Sequence, residues 1–176
     1  MHKLIYSALI LGLVCFGAVT SFATGDILGP EALACSHTAD GPSILLRIHG
    51  FKDRAGNVRV ELYPATSEDF LASRTKLSAE GKVFKRIEVP TPAKGDANIC
   101  IGLPDFGSYS LSVLHDRNAS GKLDPFSDGY GFPNNPKLGM SKPDVEDVTV
   151  IAFSKMNLDI VLNYWMGFSA RPLKKP

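Results

Sequence analysis

Between residues 43 and 166 the chain alternates apolar and polar positions with a period of two, the period at which successive strand side chains fall on opposite faces of a sheet. In SILLRIHG, Ile44, Leu46 and Ile48 share one face. In NVRVELYP, Val58, Val60 and Leu62 do the same against Arg59 and Glu61. The link between these runs, FKDRAGN, carries the Asp and Gly of a tight reversal and predicts that the two strands form a hairpin. KVFKRIEVP, ANICIGL and GSYSLSVLH follow, and DVTVIAF and NLDIVLNYW close the pattern, the last alternating Leu158, Ile160 and Leu162 with Asp159 and Asn163. Seven strands at short, regular spacing predict an all-β fold, a seven-stranded antiparallel β-sandwich, and argue against parallel βαβ units.

One stretch breaks the period. In ATSEDFLASRTKLSAEG, residues 65–81, Ser67 precedes Glu68 and Asp69 as a helix start, and Phe70, Leu71 and Leu77 follow at roughly helical spacing. The expectation is a short helix or ordered loop that crosses between the sheets, with Phe70 capping the core. The flanking stretches TGDILGPEAL and SARPLKKP lack both periods and read as loosely held ends. The organisation expected is therefore an N-terminal segment over 24–42, a β-domain over 43–166 and a tail over 167–176.

Residues 1–23 follow a different logic. Lys3 supplies a short positive start, Leu4 to Val19 an apolar stretch, and Ser21-Phe22-Ala23 the small-x-small pattern of a signal-peptide cleavage site. The prediction is a mature chain that begins near Thr24 and is periplasmic or secreted. Cys15 follows Val14 instead of the Gly or Ala that precedes a lipidated Cys, which argues against a lipid anchor. No later segment approaches the roughly 18 to 20 apolar residues that span a bilayer. Charge narrows the partners further: Lys and Arg number 19 against 18 Asp and Glu, with no basic patch, which makes nucleic acid and anionic membrane surfaces poor candidates for partners. Beyond the signal only Cys35 and Cys100 remain. An even pair in an oxidising compartment predicts one disulfide, the alternative being two separate buried thiols. In ANICIGL, Ile99 and Ile101 point one way and Cys100 the other, where an N-terminal segment lying over the sheet would reach it.

The densest candidate chemistry is HDRNASGKLD, residues 115–124. Calcium takes six to eight hard oxygens, and a short loop supplies them when acidic or amide side chains recur at every second position with a Gly at the sharp turn. Asp116, Asn118 and Ser120 fall at positions 1, 3 and 5, Gly121 at 6, the Lys122 carbonyl at 7 and Asp124 at 9. Position 12 holds Ser127 where a bidentate Glu would stand, and Asp128, one residue later, is a further candidate ligand. The competing reading is a polar hairpin turn, since Asp, Asn, Ser and Gly also bond back to their own backbone. Asn118-Ala119-Ser120 also spells a glycosylation acceptor.

After the loop, DGYGFPNNP couples Tyr130 and Phe132 to glycines. These rings either form a contact platform for a sugar or peptide, or pack over the end of the fold while the glycines allow close turns. Catalytic signals are weak. Nothing along the chain sets a Ser or Cys beside His37 or His49 with an acidic partner, His115 adjoins the loop, and Glu61, Glu68 and Asp69 read as solvated carboxylates. No zinc, phosphate-loop or nucleotide signature is present.

GNVRVELY with SEDF, then LPDFGSYSLSVLHDRNASGKLD and GYGFPNN, resemble the exported bacterial family called domain of unknown function 2141, over about Ser43 to Tyr164. The resemblance implies a transthyretin-like or immunoglobulin-like β-sandwich behind a signal peptide, and no reaction or catalytic residue. Where relatives tend to carry Asn-x-Asn in the loop this chain has Asn118-Ala119-Ser120, a poorer calcium ligand set. Two classes follow: a non-enzymatic exported module, steadied by calcium, that binds an envelope component, a glycan or a protein or is purely structural; and a small envelope hydrolase.

Overall fold

The computed structural model describes residues 26–173. The predicted signal peptide, its cleavage site before Thr24 and Cys15 lie outside the described residues.

Among the described residues, eleven strands form two sheets. In chain order they are β1 (Ile27–Leu28), β2 (Ser43–His49), β3 (Asn57–Pro64), β4 (Lys85–Pro90), β5 (Ala97–Gly102), β6 (Gly107–Asp116), β7 (Gly129–Gly131), β8 (Thr149–Ala152), β9 (Met156–Val161), β10 (Asn163–Met166) and β11 (Ser169–Pro172), with α1 at Arg74–Ala79 and a single turn, α2, at Val145–Val148. The smaller sheet has the order β1-β5-β2-β9. The larger runs β11-β10-β7-β6-β3-β4, with β8 pairing the first half of β6. The expectation of an all-antiparallel arrangement does not hold: β1 pairs β5 and β2 pairs β9 in parallel.

The period-two runs did become strands, and their apolar faces meet. Ile44, Leu46 and Ile48 with Ile99, Ile101 and Ile160 from the smaller sheet pack in one cluster against Val58, Val60, Leu62, Leu111 and Val113 from the larger. Each such buried aliphatic side chain contributes about 1.5 to 3 kcal/mol. A second cluster lies on the other face of the larger sheet, where Tyr63, alternating with Leu62, packs with Phe70, Leu77, Phe132, Leu138, Val145 and Val148.

Several expectations need correction. SILLRIHG and NVRVELYP are not a hairpin: β2 lies between β5 and β9, while β3 lies between β4 and β6, so the 50–56 link carries the chain from one sheet to the other. NLDIVLNYW is two strands, β9 in the smaller sheet and β10 in the larger, with Leu162 at the crossing. The helix starts not at Ser67 but at Ser73, whose Oγ accepts the Lys76 N–H at 3.2 Å. Thr66 instead closes a local turn, its Oγ1 accepting the Asp69 N–H. The 65–81 stretch joins β3 to β4, neighbours in one sheet, so it does not cross between sheets, and Phe70 caps the outer cluster instead of the main core. Both ends are better held than expected: β1 extends the smaller sheet, β11 pairs β10, and Cys35, in a short 3-10 turn at Ala32–Cys35, is disulfide-bonded to Cys100.

Candidate functional site

β6 is the longest strand, and its last two residues deliver the two sides of the site. His115 points into the core and Asp116 to the opposite face, and both are fully buried. His115 Nε2 lies 2.9 Å from the Ala55 carbonyl, which can only accept, so Nε2 carries the proton. Nδ1 is then the acceptor for the Tyr164 hydroxyl at 2.7 Å, and the Tyr164 oxygen in turn accepts the Lys52 N–H at 3.0 Å. This chain needs neutral imidazole, and burial, the largest influence, lowers the His115 pKa. Burial likewise pushes the Tyr164 hydroxyl up to about 12.

The Gly-Tyr-Gly of β7 is explained by what lies beneath it. A Cβ at Gly129 would stand 2.4 Å from Tyr164 Cζ, and one at Gly131 2.7 Å from Ile160 Cγ2. Only hydrogen on the Gly129 α-carbon leaves room for the ring that reaches His115, and only hydrogen on Gly131 leaves room for Ile160 and the Val161 carbonyl. Tyr130, between them, is half-buried, and Phe132 is buried in the outer cluster, where packing and not ligand contact accounts for it.

On the opposite face the loop closes on itself. Asp116 Oδ1 accepts the Ser120 N–H at 3.0 Å and Oδ2 the Gly121 N–H at 2.7 Å, with Gly121 in the left-handed region at φ 76°. Asn118 Oδ1 shares the Ser120 N–H at 3.0 Å, the Ser120 hydroxyl donates to the Lys122 carbonyl at 3.0 Å, and Asp124 Oδ1 accepts the Phe126 N–H at 3.1 Å. Asp128, also fully buried, accepts from Arg117 N at 3.0 Å and Asp124 N at 2.8 Å, fastening the two ends of the loop. A cation is already present. The Arg59 guanidinium, nearly buried on the polar face of β3, donates to the Gly121 carbonyl at 3.2 Å, to Asp116 Oδ2 at 3.5 Å and to Glu88 at 2.9 Å. Arg117 holds the loop from outside through Asp53, whose carboxyl it keeps below the usual carboxylate range, and through the Ser127 carbonyl at 2.9 Å.

The structure thus brings Asp116, Asn118, Ser120, Lys122 and Asp124 into one loop, with Asp128 as its clasp. An ionised carboxylate offers about four lone-pair sites, and Asp116 spends three on Ser120, Gly121 and Arg59. The donors left facing solvent for a hard cation are those of Asn118, Ser120 and Lys122, with Asp124 half-exposed. Among the described residues, three carboxylate or imidazole ligand atoms gather within 4.8 Å at Glu68, Asp69 and Glu80, not at this loop. Those three carboxylates are bridged by Lys76 and Lys82, Lys82 lying 2.8 Å from both Asp69 and Glu80.

The remaining sequence candidates are scattered. His37 is exposed near the disulfide, and His49 lines a hollow of about 460 Å3 with Arg47, Asp96 and Asp159. Glu61 is bonded to Tyr63 and Arg86. Arg59, the charge partner of the loop, was the residue that sequence reasoning missed, because it sits 57 positions from Asp116 in an ordinary alternating strand. No helix among the described residues is long and apolar enough to cross a membrane.

The family described as uncharacterized protein conserved in bacteria (DUF2141) matches residues 46–160. No curated protein and no solved structure matches the chain.

Proposed function

The chain belongs to this family of uncharacterized bacterial proteins, and from its geometry we propose that it is an exported, non-enzymatic module: a transthyretin-like or immunoglobulin-like β-sandwich that binds an envelope component, a glycan or a protein, or serves as structure. One observation carries the reading. The groups best suited to acid–base chemistry, His115, Asp116, Asp128 and Tyr164, are buried and spend their polar atoms on holding the loops. Two sheets facing one shared core support the sandwich assignment. Export is tested by fractionating the native host, with the mature chain starting at Thr24 in the periplasm or medium; an intact Met1 on cytoplasmic protein overturns it. The non-enzymatic reading is tested by assaying generic ester, phosphate, glycoside and peptide substrates. Turnover that His49→Ala removes would favour the envelope hydrolase instead.

A second reading, that the 116–124 loop takes calcium, has its own support: Asp116 is already oriented by the amides of Ser120 and Gly121, so the loop is assembled before any metal arrives. Arg59 is the competing cation, and calcium must displace it from the carboxylate. Binding to the folded state alone at about 100 times the dissociation constant adds roughly 2.7 kcal/mol, a melting rise of about 5 to 10 °C. Identical melting curves in millimolar calcium and in chelator refute it.

A further inference from the structure

β9 is the outer strand of the smaller sheet, and its free edge is occupied by a side chain. Leu162 N–H bonds the His49 carbonyl, so along β9 the even residues turn their backbone groups toward β2 and Asn157, Asp159 and Val161 turn theirs outward. Asn135 meets them as a strand would. Its Nδ2 donates to the Asp159 carbonyl at 2.9 Å and its Oδ1 accepts the Val161 N–H at 2.7 Å. The amide is held there by a backbone in which Asn134 and Asn135 both adopt left-handed φ, 60° and 47°. Two hollows flank it along the same edge, about 470 Å3 and 460 Å3, both lined by Asn135 and Val161. The larger is rimmed by Lys137 and Arg171, neither of which has a carboxylate partner among the described residues.

We propose that the Asn157–Val161 edge is a docking site for an extended acidic peptide segment of a partner protein, which adds as a further strand, displaces the Asn135 amide and sets a carboxylate against Lys137 and Arg171. Asn135 then acts as a plug that mimics one peptide unit of the missing strand. It keeps the edge from pairing with the wrong chain. The partner's backbone would supply the two bonds that Asn135 now makes and add those of Asn157. The inference rests on reading the chain as a binding module, but its failure would leave that reading standing, since the turnover assays test the latter independently.

The test uses the full mature chain and fluorescence anisotropy of three labelled hexapeptides: alternating Val and Glu, alternating Val and Lys, and the Val/Glu peptide with every second amide N-methylated. Asn135→Gly keeps the left-handed backbone and removes the plug, and should bind the Val/Glu peptide at least about tenfold tighter than wild type, the net worth of the two hydrogen bonds no longer given up. The double variant Lys137→Glu, Arg171→Glu should bind it at least about tenfold more weakly, an effect that does not depend on Asn135→Gly folding well. The N-methylated and Val/Lys peptides should bind poorly. Equal affinity of wild type and Asn135→Gly, equal binding of the three peptides, or no binding by either protein overturns the proposal. So does dimerisation of Asn135→Gly without peptide binding, which would assign the edge to a second copy of this chain.

Discussion

Adding a single methyl at Gly129 tests the whole inner half of the site. Neither Gly129 nor Gly131 has a left-handed backbone, so alanine is conformationally allowed there and the obstacle is contact alone. The new Cβ would lie 2.4, 2.5 and 2.7 Å from Cζ, Cε1 and the hydroxyl of Tyr164. To restore a carbon–carbon contact of about 3.5 Å the ring must retreat by about 1 Å, and it cannot do so while its hydroxyl bonds His115 at 2.7 Å and Lys52 N at 3.0 Å. Overpacking costs about 1 to 3 kcal/mol, and leaving one or both buried hydrogen-bond partners unmade adds about 1 kcal/mol each. Gly129→Ala should therefore destabilise by about 2 to 5 kcal/mol, a fall in melting temperature of about 5 to 15 °C for a chain of this length. Gly139→Ala is the control, because a Cβ there meets nothing within 4 Å. The assay is urea unfolding of five proteins: wild type, the Gly139→Ala control, Gly129→Ala, Tyr164→Leu and the Gly129→Ala/Tyr164→Leu double variant. Removing the ring should rescue the added methyl, with a coupling energy of at least about 1.5 kcal/mol. If Gly129→Ala costs as much beside Leu as beside Tyr, the ring is not the obstacle and the explanation of the Gly-Tyr-Gly motif is wrong.

The Cys35–Cys100 bridge closes 65 residues of sequence, for which the chain-entropy relation gives about 4 kcal/mol; unchanged urea midpoints with and without reductant would contradict it. His115 is held neutral with a pKa below 6.5, so the unfolded chain takes up its proton first and stability should fall as pH drops below about 6.5, a slope that His115→Gln should flatten in pH-dependent melting. Arg59→Leu leaves the buried Asp116 carboxylate without its cation and should cost about 3 to 5 kcal/mol. If the loop takes calcium, millimolar calcium should raise the melting temperature of that variant more than that of wild type; equal shifts would show that Arg59 and metal do not compete.

What the sequence told truly is what depends on near neighbours. Period-two runs located the inner faces of β2, β3, β5 and β6, and the outward aim of Cys100 anticipated its bridge, because both follow from strand alternation alone. Turn chemistry misled at the 50–56 link: Asp53 and Gly56 mark a change of direction but carry no information on which sheet receives the chain. NLDIVLNYW hid its crossing for a related reason. Ile160, Leu162 and Tyr164 all face the same core, from one sheet and then the other, so the alternation runs unbroken through the switch. In the loop, the recurring oxygens were visible, yet their partners were not. Asp116 is satisfied by amides whose orientation depends on the folded turn and by Arg59, which comes from a different strand.

The parallel pairing of β2 with β9 also sets an order of events during synthesis. Ile44–His49 must wait for Met156–Val161, about 112 residues later, before one of its flanks is covered. At about 5 to 20 residues per second that interval is about 6 to 22 s. Through it, a strand whose inner face is Ile44, Leu46 and Ile48 has an open edge, a pattern prone to pairing with other chains. The smaller sheet is therefore completed only after Val161 has emerged, and a holding factor that shields SILLRIH until then would raise the yield of folded protein.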